Sequence, residues 1–95
     1  MIIEQIQLEN GTAIGLKFEM HNAPLLVIRA DKGFVMCGYL DTEIANKLGD
    51  VAAKVRGVNT LEDVLHSEVL DVTNHAKALG VKAGMKGHEA LELMF

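Results

Sequence analysis

Tryptophan is absent from this 95-residue chain, and cysteine, proline and tyrosine each occur once. A lone cysteine, Cys37, excludes an internal disulfide and suits a reducing compartment. One proline, with 49% hydrophobic against 23% charged residues, excludes the disordered and collagen-like classes. No apolar run approaches the roughly 18 residues that a membrane helix needs. The opening MIIEQIQLEN lacks the basic start, long apolar stretch and small-residue cleavage site of a secretory signal. Positive charge is scarce as well. Nine Lys and Arg against thirteen Asp and Glu leave a net charge of -4, which argues against broad binding to nucleic acid or an anionic membrane. The expectation is a cytoplasmic protein with one α+β domain spanning residues 1–95, too small to be more than thinly stable alone.

What is present divides near Leu40. Residues 1–40 alternate in the manner of strands, and residues 41–95 carry alanine and charge at helical spacing. Ile2, Ile6 and Leu8 mark one strand, and Ile14, Leu16, Phe18 and Met20 a second, all on even positions. A two-residue Asn10-Gly11 turn would put these two apolar rows on opposite faces. A three-residue loop, Glu9 to Gly11 with Gly11 left-handed, pairs Ile6 with Ile14 and Ile2 with Phe18, and is preferred. In the next hairpin Pro24 opens a strand from Leu25 to Ala30, and Asp31-Lys32-Gly33 turns into Phe34 to Tyr39. Pairing Ala30 with Phe34 sets Ile28 against Met36 on one face. It places Arg29, Val35, Cys37 and Tyr39 on the other. Both faces are apolar, so both are expected to be covered, one by helices and the other by a second subunit.

Beyond Asp41, the positions Ile44, Leu48, Val51, Ala52 and Val55 fall on one helical stripe, capped by Asp41 or Thr42 and ended by Gly57, with a break allowed at Gly49. Thr60 caps a short turn from Leu61 to Leu65, and Asp63 supports its first amides. Glu68 to Thr73 reads as one further strand. Asn74 caps Ala76 to Leu79, and a last helix runs from about His88 to Met94. The fold class is α+β: about four N-terminal antiparallel strands in two hairpins, then short helices with one more strand.

Two groups of residues could carry chemistry. In the pairing above, Cys37 is the diagonal neighbour of Arg29 at roughly 7 Å. A guanidinium there would favour thiolate, making Cys37 a candidate nucleophile or redox thiol with Tyr39 as a nearby donor. The competing reading is a buried structural cysteine, since no histidine adjoins it as a base.

The second group is the basic, glycine-punctuated stretch Val72 to His88. Lys82 and Lys86 would attract an anion, and the amides around Gly84, Gly87 and His88 would hold it at a helix start. Its glycines fit neither a P-loop nor a dinucleotide fingerprint. Gly84-Met85-Lys86-Gly87 does match the G-x-x-G loop of KH domains, but the acidic balance of the chain argues against RNA. The same glycines serve equally well as helix caps and packing points. The four histidines show no metal-ligand spacing, so no metal and no cofactor are expected.

The runs PLLVIRADKGFVMCGYLD from Pro24, GDVAAKVRGV from Gly49 and LGVKAGMKGHEALELM from Leu79 resemble the YunC-like family of small bacterial and archaeal proteins of unknown function. The resemblance extends over nearly the whole chain and implies tetramerisation through the N-terminal β-sheet. It implies no activity or site residue. The functional expectation is a homo-oligomer that binds a small anionic metabolite at the Gly84–Glu89 helix start. A cysteine-dependent enzyme built on Cys37 and Arg29, and a purely structural or partner-binding subunit, are the alternatives.

Overall fold

Six strands lie side by side in chain order in one mixed sheet. The structure is a computed structural model and describes all 95 residues. β1 (Ile2–Gln7), β2 (Thr12–Glu19), β3 (Pro24–Arg29) and β4 (Gly33–Met36) form an antiparallel meander, and β5 (Val51–Lys54) runs parallel to β4. A parallel neighbour needs a crossover, which is α1 (Thr42–Leu48). Then follow α2 (Leu61–His66), β6 (Asp71–Val72), α3 (Asn74–Ala78) and α4 (Gly87–Glu92). No helix is long and apolar enough to cross a membrane.

The α+β class and the N-terminal four-strand meander agree with expectation, and two strands follow it where one was foreseen. The extra strand is β5. The stripe of apolar residues expected to continue α1 stops at Gly49, whose φ of 80° lets its amide turn back to the carbonyls of Ala45 and Asn46. Val51 to Lys54 then enters the sheet instead of the helix. Its alanines, Ala52 and Ala53, are fully buried because elements pack on both faces there.

The main core fills the space between the inner sheet face and three helices. Ala13, Leu26, Ile28, Val35, Cys37, Ala53 and Val55 meet Leu61 and Val64 of α2, Ala76 of α3 and Ala90 and Leu91 of α4. On the outer face α1 covers only a small cluster of Met36, Ala45 and Ala52. Beyond it the outer face of β1 and β2 stays open, with Ile3 64% and Ile14 50% exposed.

Both hairpins sit one residue out of the expected register. In the first, Ile6 pairs with Ala13, and the Leu8 amide donates to the Gly11 carbonyl at 2.9 Å, so the loop is Glu9-Asn10. The expected pairs of Ile6 with Ile14 and Ile2 with Phe18 do not form, and the two apolar rows lie on opposite faces. The reason lies in α2. β2 turns its small residues, Ala13 and Gly15, towards that helix, and a Cβ on Gly15 would come within 2.9 Å of a Leu61 methyl. In the second hairpin Arg29 pairs with Phe34, Ile28 with Val35 and Val27 with Met36, leaving Asp31-Lys32 as the turn. Gly33 is a ladder residue, and its bare Cα is required by the close approach of Val51 from β5.

Local signals held. Asp41 caps α1, accepting from the amides of Glu43 at 2.8 Å and Ile44 at 3.3 Å. Thr60 and Asp63 form a reciprocal capping box at α2.

Candidate functional site

The slip in register separates the first pair of candidates. Arg29 is exposed on the outer face, while Cys37 lies on the inner face at 3% exposure. The Arg29 guanidinium does not face the thiol. Cys37 bonds to the neighbouring strand instead: its amide donates to the Leu26 carbonyl at 3.0 Å, and its Sγ accepts from the Leu26 amide at 3.3 Å. Activation of Cys37 by Arg29 is therefore corrected. Tyr39, beyond the end of β4, donates its hydroxyl to the Ala23 carbonyl at 3.3 Å, on the rim of a hollow of about 350 Å³.

The glycine stretch is likewise occupied by its own chain. The Gly84 amide donates to the Val69 carbonyl at 2.9 Å, the Gly87 amide to the Ser67 carbonyl at 2.9 Å, and the Lys86 amide to the Glu89 carboxylate at 2.8 Å. Gly87 is buried, and a side chain there would run into the Val64 carbonyl. His88 packs edge-on against His66 with ring centres 5.8 Å apart. These amides dock α4 onto α2 and the bridge between Glu68 and Lys86. Of the expected anion cradle, the Gly84, Lys86 and Gly87 amides are thus already engaged within the chain.

Lys82 is the member of that group that reaches a different place. It lines the larger hollow, about 840 Å³, bounded by the start of α1, the ends of β5 and β6, α3 and the loop from Gly80 to Ala83. At its edge stands Lys54, the last residue of β5. Strand alternation puts it on the outer face with Ala52, beside Met36 of β4 and opposite Asp71 of β6. Lys54 is only 8% exposed. Its side chain makes no hydrogen bond, and no carboxylate comes within 4.0 Å of it. On the same wall the Thr42 hydroxyl is buried without a partner. A hydroxyl buried without a partner costs free energy, which makes Thr42 stand out from ordinary core, while Lys54 buries its stem and keeps its ammonium in contact with the hollow. Lys77 and Lys82 are exposed at the rim, as are the carboxylates of Asp41, Glu43 and Asp71.

Such an arrangement can hold an anion. The Lys54 ammonium offers three donors from a fixed strand, and charge-assisted bonds are roughly twice as strong as neutral ones. The volume suits a small metabolite. No group of three metal-ligating side chains exists in the structure. Lys54 does not stand out in the sequence because its segment satisfies helical spacing. The available signal was a lone lysine in Val51-Ala52-Ala53-Lys54-Val55, a run that also fits a strand covered on both faces.

Residues 36–94 match the family described as a domain of unknown function, DUF1805. The chain belongs to this family. The uncharacterized protein YunC of Bacillus subtilis is 37% identical over 84 residues, covering 84% of this chain and 81% of the relative. The crystal structure of a protein of unknown function from Thermoplasma acidophilum superposes with a TM-score of 0.94 at 35% identity, over 99% of this chain and 92% of that one. The YunC-like resemblance therefore holds, and no relative's name carries an activity. Lys54, Lys77, Lys82 and Thr42 all lie inside the segment that defines DUF1805, whereas Arg29 lies outside it.

Proposed function

We propose that this DUF1805 protein binds a small anionic metabolite in the hollow beside Lys54, acting as a cytoplasmic homo-oligomer. One observation carries the reading: a lysine more than nine-tenths buried, with no internal counter-ion, beside a cavity of metabolite size. The site moves from the Gly87 helix start to Lys54 because the Gly84, Lys86 and Gly87 amides have partners within the chain. Lys82 keeps its place as an attracting charge, now joined by Lys77.

Thermal shift with inorganic phosphate, succinate and citrate tests this reading. Saturating one site at 100 times its dissociation constant adds about 2.7 kcal/mol. At least one anion should raise the unfolding temperature of the wild type and leave Lys54→Met unmoved. Equal shifts in both proteins, or none in either, would refute the assignment.

Assembly is supported by the open apolar face of β1 and β2. Ile3, Ile14 and Phe18 stand exposed on one side of a sheet that α1 covers only in part. Water contact with such a patch is unfavourable, and a second copy would relieve it. A tetramer agrees with the family resemblance. Sedimentation should give a multiple of the chain mass that Phe18→Lys reduces, whereas a stable monomer at micromolar concentration would remove the proposal.

A further inference from the structure

The large hollow holds six charged side chains of both signs, yet none pairs with another. Lys54, Lys77 and Lys82 line it together with Asp41, Glu43 and Asp71. The two ion pairs of the molecule, Lys17 with Glu19 and His66 with Glu62, both lie elsewhere. Charges of opposite sign around one small cavity ordinarily close on each other unless the fold holds them apart.

Here it does. Lys54 is fixed by the β5 ladder, and its backbone carbonyl accepts from the Leu70 amide at 2.8 Å. Asp41 is tied to the amides of α1 through Oδ1, and Glu43 projects from the same turn. Lys77 stands on α3, and Lys82 follows the left-handed turn at Gly80, where φ is 95°. The cations of the rim thus come from α3 and its following loop, and two of the anions come from the start of α1. A simple polyanion would satisfy the first group and be repelled by the second. A ligand with charges of both signs satisfies both.

We infer that the ligand is an α-amino acid bearing a second anionic group, its ammonium towards Glu43 and Asp41 and its anionic groups towards Lys54 and the Lys77–Lys82 edge. The buried Thr42 hydroxyl on the α1 side supplies a further unpartnered polar group. This inference rests on the proposed anion-binding role of the same hollow and narrows its ligand class.

Calorimetric titration with L-glutamate, O-phospho-L-serine and glutarate separates the possibilities, because glutarate is glutamate without its amine. At least one of the two amino acids should bind tenfold or more tightly than glutarate, and Glu43→Gln or Asp41→Asn should shrink that ratio while leaving glutarate affinity in place. Which amino acid binds better identifies the second group as carboxylate or phosphate. Circular dichroism of each variant establishes that it is folded. Glutarate binding as tightly as the amino acids would overturn the inference and leave anion binding standing. A ratio unchanged in both variants would also overturn it. Failure of all three probes to bind would overturn the inference and the anion-binding reading together.

Discussion

Lys54 and Asp71 are cross-strand partners in the β5–β6 ladder, yet their side chains form no ion pair. A lysine beside a carboxylate on a half-exposed sheet would ordinarily lean across to it, with modest benefit. Lys54 instead lies buried beside the large hollow, while Asp71 stays exposed. That separation is what distinguishes the cavity from a solvated surface dip.

Replacing Lys54 by methionine keeps the volume of the side chain and removes the unpaired ammonium. The exchange conserves volume along a buried stem, so we expect Lys54→Met to change stability in urea unfolding by less than about 1.5 kcal/mol. A larger loss would mean that the ammonium supports the fold rather than a ligand.

Glu92 of α4 closes the first hairpin from outside. Its carboxylate accepts from the amides of Glu9 and Asn10, each at 2.9 Å, and its carbonyl accepts from the Asn10 side chain at 3.0 Å. Glu92→Ala should cost about 1–2 kcal/mol, the scale of charge-assisted bonds at a partly exposed site. The checkable sign is faster hydrogen exchange at Glu9 and Asn10, with little change on β5.

Gly87 has no room for a methyl group, because its Cα lies against the Val64 backbone carbonyl. Gly87→Ala should destabilise by about 2–3 kcal/mol through displacement of α4 from α2. Gly84 makes the control, since it has open space around it but a φ of 96°. Gly84→Ala should cost only about 1 kcal/mol, the price of a left-handed alanine. Similar losses at the two positions would contradict this distinction.

The Asp63 carboxyl is held below its ordinary value of 3.8, chiefly by the Asn59 amide and further by Thr60. A carboxyl lowered on folding contributes stability above its unfolded value, and that contribution is lost as pH falls through the lower folded value. Amide exchange at Asn59 and Thr60 should therefore accelerate, relative to the intrinsic rate, on acidification below about pH 4. The acceleration should be absent in Asp63→Asn.

The caps of α1 and α2 were legible because every participant lies within a few residues: Asp41 with Glu43 and Ile44, Thr60 with Asp63. Register was not legible, because it depends on distant packing. Gly11 and Gly33 look like left-handed turn residues, but neither has positive φ. Each lacks a side chain because a remote group presses on it, the Phe95 ring on Gly11 and Val51 on Gly33. Treating them as loop residues shifts each hairpin by one, and a one-residue shift exchanges the faces of a strand. That exchange is what places Arg29 and Cys37 on one face in the sequence pattern. Lys54 is hidden for a related reason: Ile44, Leu48, Val51, Ala52 and Val55 satisfy helical spacing, and only the Gly49 cap shows where the helix stops.

The sharpest test of the Lys54 site is nuclear magnetic resonance of the lysine side chains during titration with succinate. The Lys54 ammonium and its adjoining methylene should shift along a saturable curve, with Lys77 and Lys82 following at the same midpoint and Lys17 and Lys32 unmoved. A Lys54 signal that stays fixed while surface lysines drift linearly with added anion would contradict it.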